Sequence, residues 1–240
     1  MAFNDLLARL DDAFATQRSF IATASHELRT PLTVVRGELH QACNAAAGDA
    51  RLQGHLKRME EQVLHMQDLL GQLLWLAQTQ GVGERLVNET VRLDEVAERA
   101  MQRCRMRYPE VGIHFDVQMA GEEAGLAVRG NAVLLTAAVY NLLSNAAKYG
   151  GGGGVRLVLV AAADRLVVRV SDQGPGMDAE TLRRARELFY RGAGREAIDG
   201  HGIGLSLVDR IARVHGGKVA ITSGPAQGTT VELALPLRRA

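Results

Sequence analysis

From Leu56 to Ala77 the apolar residues fall at Leu56, Met59, Val63, Met66, Leu70, Leu73 and Ala77, with spacings that alternate three and four without a break. That period lays a narrow apolar stripe along one side of a helix, the seam of a coiled coil and not the broad face of a helix on a globular core. An earlier segment carries a related stripe at Leu7, Leu10, Phe14, Ile21, Ala24 and Leu28, then, after a shift, at Leu32, Val35, Leu39 and Ala42. Polar Gln17 interrupts it, and its register slips near Pro31. A proline inside a helix removes a backbone hydrogen bond and clashes with the preceding turn, so a kink is expected there. Residues 44–54, with Gly48, Asp49 and Gly54, are expected to turn the chain between the two helices. Two helices cannot enclose a core with seams this narrow. A second copy would complete a four-helix bundle and bury both stripes, so a homodimer through the helical hairpin is expected.

The rest of the chain follows different periods. Residues 78–88, with Gly81 and Gly83, read as a connection. Beyond it, 93–104 and 131–148 have helical periodicity, and a third helix runs from about Ile203 to Val214, ended by Gly216 and Gly217. Alternation marks strands at Ile113–Val117, Val155–Leu159, Leu166–Val170, Val219–Ile221 and Val231–Leu235. Strands come in adjacent pairs between helices, which favours an α+β two-layer sandwich over a doubly wound sheet. The expected layout is an all-α hairpin domain over 1–80, a linker over 81–90 and the α+β sandwich over 91–240.

Composition narrows the functions open to such a chain. The formal net charge is +1 and aromatic residues make up 4%, which leaves neither a basic field nor stacking platforms for nucleic acid. No apolar run approaches the ~20 residues of a membrane span, so no direct membrane contact is expected of this stretch. Cys43 and Cys104 have neither metal nor redox spacing and read as free, largely buried thiols.

Chemistry concentrates in four places. His26, followed by Glu27, lies two residues past Ala24 and two before Leu28, about 200° around the helix from each, so it points away from the seam. An exposed imidazole beside a carboxylate can supply a nucleophilic nitrogen and the group that orients it or takes its proton. Asn141, Asn145 and Lys148 share one helical face, where amide oxygens and an ammonium suit a divalent cation and phosphate oxygens. Asp172 ends a strand ahead of Gly174-Pro175-Gly176, placed to accept a hydrogen bond from an adenine amino group. Gly200, Gly202 and Gly204 open a helix, whose free amides favour phosphate. They do not make a dinucleotide fingerprint, because no strand of the required kind precedes them. The glycine run 150–154 lacks the Lys-Ser/Thr of a P-loop and reads as a turn. A nucleophilic histidine on one module and a nucleotide site on another point to phosphoryl transfer.

In these motifs the chain resembles the catalytic core of a sensor histidine kinase of two-component signalling. Residues 25–32 match the phosphoacceptor box, 141–149 the N box, 172–177 the first glycine box and 200–205 the second; Phe189-Tyr190-Arg191 matches the end of the F box and Gly228-Thr229 the last glycine box. The resemblance implies a dimerising helical domain followed by a Bergerat-type ATP-binding sandwich, with ATP and Mg²⁺ as cofactors. It makes His26 the phosphoryl acceptor, Glu27 its orienting or deprotonating neighbour, and Thr30 the residue that places water when a partner is dephosphorylated. It makes Asn145 the Mg²⁺ ligand assisted by Asn141, gives Lys148 a phosphate contact, and lays Tyr149 against adenine. Gly174, Gly176, Phe189, Arg191, Gly200, Gly202, Gly204, Leu205 and Thr229 complete the implied nucleotide set around Asp172. The implied partner is the receiver domain of a response regulator, and the implied setting is the cytoplasmic portion of an inner-membrane sensor. Three features depart from the pattern: Arg186 stands where a first phenylalanine is usual, Thr230-Val231 replaces a phenylalanine, and the stretch 191–200 is short. Related Bergerat ATPases carry a water-activating glutamate at the position of Asn141, and an amide cannot serve as that base.

Overall fold

In a computed structural model the chain divides into two compact units, Met1–Gly81 and Val82–Ala240. The structure describes residues 28, 31–39, 41–43, 45, 46, 49, 51–56, 58, 59, 63 and 66 of the first unit, and 89–119, 125–162, 164–187, 190 and 202–237 of the second. His26, Glu27, Thr30, Phe189, Arg191 and Gly200 lie outside the described residues, as do Gln17 and most of the segment read as linker.

Within the first unit, residues 31–39 and 51–56 are helical. Asp49 starts the second helix: its Oδ1 accepts the backbone N–H groups of Arg51 and Leu52, both at 3.0 Å. The turn is therefore shorter than 44–54, and Gly54 sits inside the helix. The seam splits into two rows. Val63 and Leu39 are buried, whereas Met59 and Met66 are 54% and 44% exposed. Among the described residues the stripe is thus covered at Val63 and open at Met59 and Met66. Cys104 is buried, but Cys43 is only half-buried, so its thiol is more open than expected.

The second unit contains β1 (Glu89–Arg92), α1 (Leu93–Arg107), β2 (Ile113–Met119), β3 (Ala127–Gly130), α2 (Ala132–Tyr149), β4 (Val155–Ala161), β5 (Arg165–Asp172), α3 (Ala179–Arg184), α4 (Gly204–Val214), β6 (Lys218–Ser223) and β7 (Thr229–Pro236). The main sheet runs β2-β4-β5-β7-β6, parallel between β2 and β4 and antiparallel elsewhere. Alternation along the strands builds its inner face in rows: Leu159, Val168 and Leu233 lie side by side, as do Leu157, Val170 and Val231. All six are buried. Helix α2 lies against β4 and β5, and α1 and α4 pack on α2. This is the expected α+β two-layer sandwich.

Two short strands depart from expectation. β1 pairs with β3 in a separate antiparallel ribbon, with Val91 opposite Val128, and begins inside the stretch read as linker. Four-residue strands are too short for alternation to stand out. The sandwich is tied together at one end by His215, which caps α4. Its Nδ1 lies 2.7 Å from Ile211 O and its Nε2 accepts the N–H of Asn131 at 3.1 Å. Asn131 is itself the N-cap of α2, accepting the N–H of Leu134 at 3.1 Å. One imidazole thus joins the end of α4 to the start of α2, and this arrangement needs the ring neutral, with its proton on Nδ1.

Burial holds His215 below its ordinary pKa. A depressed folded-state pKa means the unfolded chain takes up the proton first, so stability is full above the unfolded value of ~6.5 and falls as pH drops toward the folded value. Thermal melts at a series of pH values are expected to show this loss below neutrality, and a His215→Gln variant should have a flatter profile. Identical profiles would remove His215 as the cause.

Candidate nucleotide-binding site

Helix α2 ends in Asn141, Asn145, Lys148 and Tyr149, and the elements around it converge on that half. Asn141 is buried and its Nδ2 donates to Ala137 O at 2.8 Å, which fixes the amide against its own helix. Gly204, the first residue of α4, presses on this stripe. A Cβ there would lie 3.2 Å from Asn141 Oδ1 and 3.3 Å from Asn145 Nδ2, so the approach tolerates no side chain without displacing the amides. Preceding Gly204 is Ile203, an N-cap with no polar side chain. The start of α4 therefore lies against the Asn141–Asn145 stripe, and its first amides have no side-chain cap among the described residues, the condition in which a helix start accepts an anion.

The second half of the site is built on Asp172. It closes β5, opposite Thr229, the first residue of β7. Its Oδ1 accepts the N–H of Gly174 at 2.9 Å and the N–H of Thr229 at 3.2 Å, so the carboxylate is held from two sides. Tyr149 enters the same corner, its carbonyl packed directly on Gly174. Gly176 and Gly228 have φ of 69° and 71° and lie against one another's loops, a left-handed conformation that suits glycine. Ser223, which carries no sequence signal beyond ending β6, braces this floor. Its Oγ accepts the N–H of Met177 at 2.9 Å, donates to Gly228 O at 2.8 Å and lies 3.0 Å from Thr229 Oγ1.

The structure thus brings Gly204 to Asn141 and Asn145, and Asp172, Gly174 and Thr229 to one another beside Tyr149, the two groups meeting the C-terminal half of α2. Gly202 and Leu205 flank Gly204 at the same helix start. The donors fit a hard divalent cation. Asn145 is half-exposed and offers an amide oxygen, leaving room for phosphate and water oxygens to complete a coordination shell of the magnesium kind. Among the described residues no group of three His, Cys, Asp or Glu could hold a transition metal instead. Cys104, buried with its pKa pushed up to about 11, stays a protonated thiol and belongs to the core.

Replacing Asp172 by asparagine keeps an oxygen that can accept from Gly174 and Thr229 but removes the charge. The variant is expected to melt within ~2 °C of the parent, since its backbone anchors survive, and to bind ATP at least about tenfold more weakly, as loss of a charge-assisted hydrogen bond implies. A thermal melt and a calorimetric titration measure the two consequences, and unchanged affinity would take Asp172 out of adenine recognition.

Residues 130–239 match the family model described as histidine kinase-, DNA gyrase B-, and HSP90-like ATPase, and residues 16–81 match that of the His Kinase A phospho-acceptor domain. A signal transduction histidine-protein kinase/phosphatase MprB from Mycobacterium sp. (strain KMS) is 36% identical over 250 residues, covering 99% of this chain and 47% of the relative. Its counterpart from Mycobacterium bovis (strain BCG / Pasteur 1173P2) is 35% identical over 251 residues, with 99% and 48% covered. The chain therefore spans about half the length of these relatives. Among solved structures, the mycobacterial sensor histidine kinase MprB superposes with a TM-score of 0.53 at 29% identity, over 63% of this chain and 100% of that one. Full-length ShkA in complex with AMPPNP superposes with a TM-score of 0.71 at 25% identity, over 92% of this chain and 46% of that one. With a phosphoacceptor module ahead of an ATP-binding sandwich, and relatives along its whole length, the chain belongs to the sensor histidine kinases and carries their catalytic core.

Proposed function

We propose that the chain is an ATP-dependent protein-histidine kinase that phosphorylates its own His26 and passes the phosphoryl group to an aspartate on a response-regulator receiver domain. The observation that carries this reading is the phospho-acceptor match over 16–81, which contains His26-Glu27, on the same chain as an ATP-binding fold. Relatives named histidine-protein kinase/phosphatase support a second activity, removal of phosphate from the regulator, with Thr30 placing the attacking water.

The chain's own groups suffice to seat the nucleotide. Asp172 takes the hydrogen of the adenine amino group, held in place by the N–H groups of Gly174 and Thr229. Tyr149 and Gly176 border the base, while Gly202, Gly204, Leu205 and Lys148 surround the phosphates; Phe189, Arg191 and Gly200 join the nucleotide set by their match to the family motifs. Mg²⁺, when bound, would offset phosphate charge; Asn145 would hold it, with Asn141 assisting. Phosphoryl transfer asks for alignment and charge neutralisation more than for covalent chemistry. A neutral His26 nitrogen attacks the γ-phosphorus, the bond to the bridging oxygen breaks, ADP departs and Glu27 orients the ring or accepts its proton.

Dimerisation through the hairpin would cover the open row at Met59 and Met66. The domain limits follow the same logic: a phosphotransfer module over 1–80, a connection over 81–90 and a catalytic module over 91–240. The parent protein is read as an inner-membrane sensor with this portion in the cytoplasm; among the described residues no helix is long and apolar enough to cross a membrane.

Incubation with γ-labelled ATP and Mg²⁺ is expected to label the chain and leave His26→Gln unlabelled, while the variant keeps parental nucleotide affinity. Undiminished label on His26→Gln would move the acceptor elsewhere.

A further inference from the structure

Arg186 lies two residues beyond α3 and makes two contacts that no nucleotide-site residue uses. Its Nη2 donates to Val219 O at 3.0 Å, and its Nη1 stands 3.8 Å from Asp209 Oδ1. Val219 belongs to β6, which among the described strands pairs with β7 alone and ends the sheet. A guanidinium on that carbonyl covers part of an open sheet edge. Asp209 belongs to α4, five residues past Gly204, and is only 17% exposed. Its other oxygen, Oδ2, receives Arg213 Nε at 2.9 Å, so the carboxylate sits between two guanidinium groups. Local contacts settle the backbone leading to Arg186: Arg184 lies 4.1 Å over the Tyr190 ring and donates to Glu187 at 2.9 Å.

The consequence is geometric. Arg186 stands at the start of the stretch that joins α3 to α4, yet it is clasped to α4 itself and to the strand that follows α4. The inner stripe of α4, Leu207, Val208, Ile211 and Ala212, is buried and packs the helix on the sandwich. Apolar packing of this kind is non-directional and tolerates sliding along the axis, whereas a fork-shaped guanidinium holding a carbonyl and a carboxylate does not. What the clasp positions is the first turn of α4, where Gly204 meets Asn141 and Asn145.

We infer that Arg186 is a positioning residue for the nucleotide phosphates, acting through Asp209 and Val219 O on the start of α4. It touches no substrate atom. The inference rests on the nucleotide reading above and adds to it a determinant of phosphate affinity outside the site.

Calorimetric titration of the full chain with Mg²⁺-ATP and with adenosine tests it, using the parent, R186A, R186K, D209N and the R186A/D209N double variant. R186A is expected to bind ATP about fivefold more weakly, the scale of losing a partly exposed ion pair and a charged hydrogen bond. Adenosine affinity should be unchanged, the melting temperature should stay within ~2 °C of the parent, and R186K should recover part of the loss. The double variant should bind no more weakly than the worse single one, because both substitutions break the same link. In autophosphorylation the KM for ATP should rise while the rate at saturating ATP holds. Parental ATP affinity in R186A, additive losses in the double variant, or an equal loss of adenosine affinity would each overturn the inference. A parent chain that binds no ATP would instead overturn the nucleotide reading on which it stands.

Discussion

The arrangement of the nucleotide site depends on one carboxylate held still. Asp172 Oδ1 takes hydrogen bonds from Gly174 and Thr229, one from the loop that follows its own strand and one from the neighbouring strand. An unanchored carboxylate at a strand end would spend most of its time solvated, and its interaction with an adenine amino group would cost the entropy of ordering it. Here that cost is met in folding. The two donors also lock the loop and strand to each other, so under the proposed reading the carboxylate that recognises the base is the one that closes the sheet end. Ser223 extends the same lock to β6 through Met177, Gly228 and Thr229.

The side proposed for the phosphates is organised by close approach instead of by charge. Gly204 lets the start of α4 come against Asn141 and Asn145, an approach that a side chain would make only by displacing the two amides. Burial of Leu207, Val208, Ile211 and Ala212 holds α4 on the sandwich, and His215 ties its far end to the N-cap of α2. Both ends of α4 are therefore referred to α2, the helix that carries the polar stripe. A helix start can serve an anion only if its position is reproducible, and these two connections supply that.

Much of this was legible in the sequence, for physical reasons. The five sheet strands alternate over enough residues to be recognised, and α2 has an Asn cap and a continuous apolar pattern. The Asp172–Gly174–Gly176 run and Gly204 are legible because their spacing reflects backbone that must bend or approach closely. β1 and β3 are not, since four residues carry too little period. Ser223 is not, because a serine ending a strand looks like any other until Met177, Gly228 and Thr229 are in place around it. Arg186 shows in the sequence only as a residue out of pattern; its partners Asp209 and Val219 lie 23 and 33 residues away, in separate elements. Gly54 misleads: a glycine near Asp49 suggests a turn, but Asp49 caps a helix that already contains it.

The central claim is that adenine is read by the anchored carboxylate while the phosphates lie at the start of α4. A crystal structure of the chain with a non-hydrolysable ATP analogue and Mg²⁺ tests this most directly. The account predicts the adenine amino nitrogen about 2.7–3.2 Å from an Asp172 oxygen, with Gly174 and Thr229 still donating and the phosphates between Asn145 and Gly204. A base seated away from Asp172, or an Asp172 side chain released from Gly174 and Thr229, would contradict it.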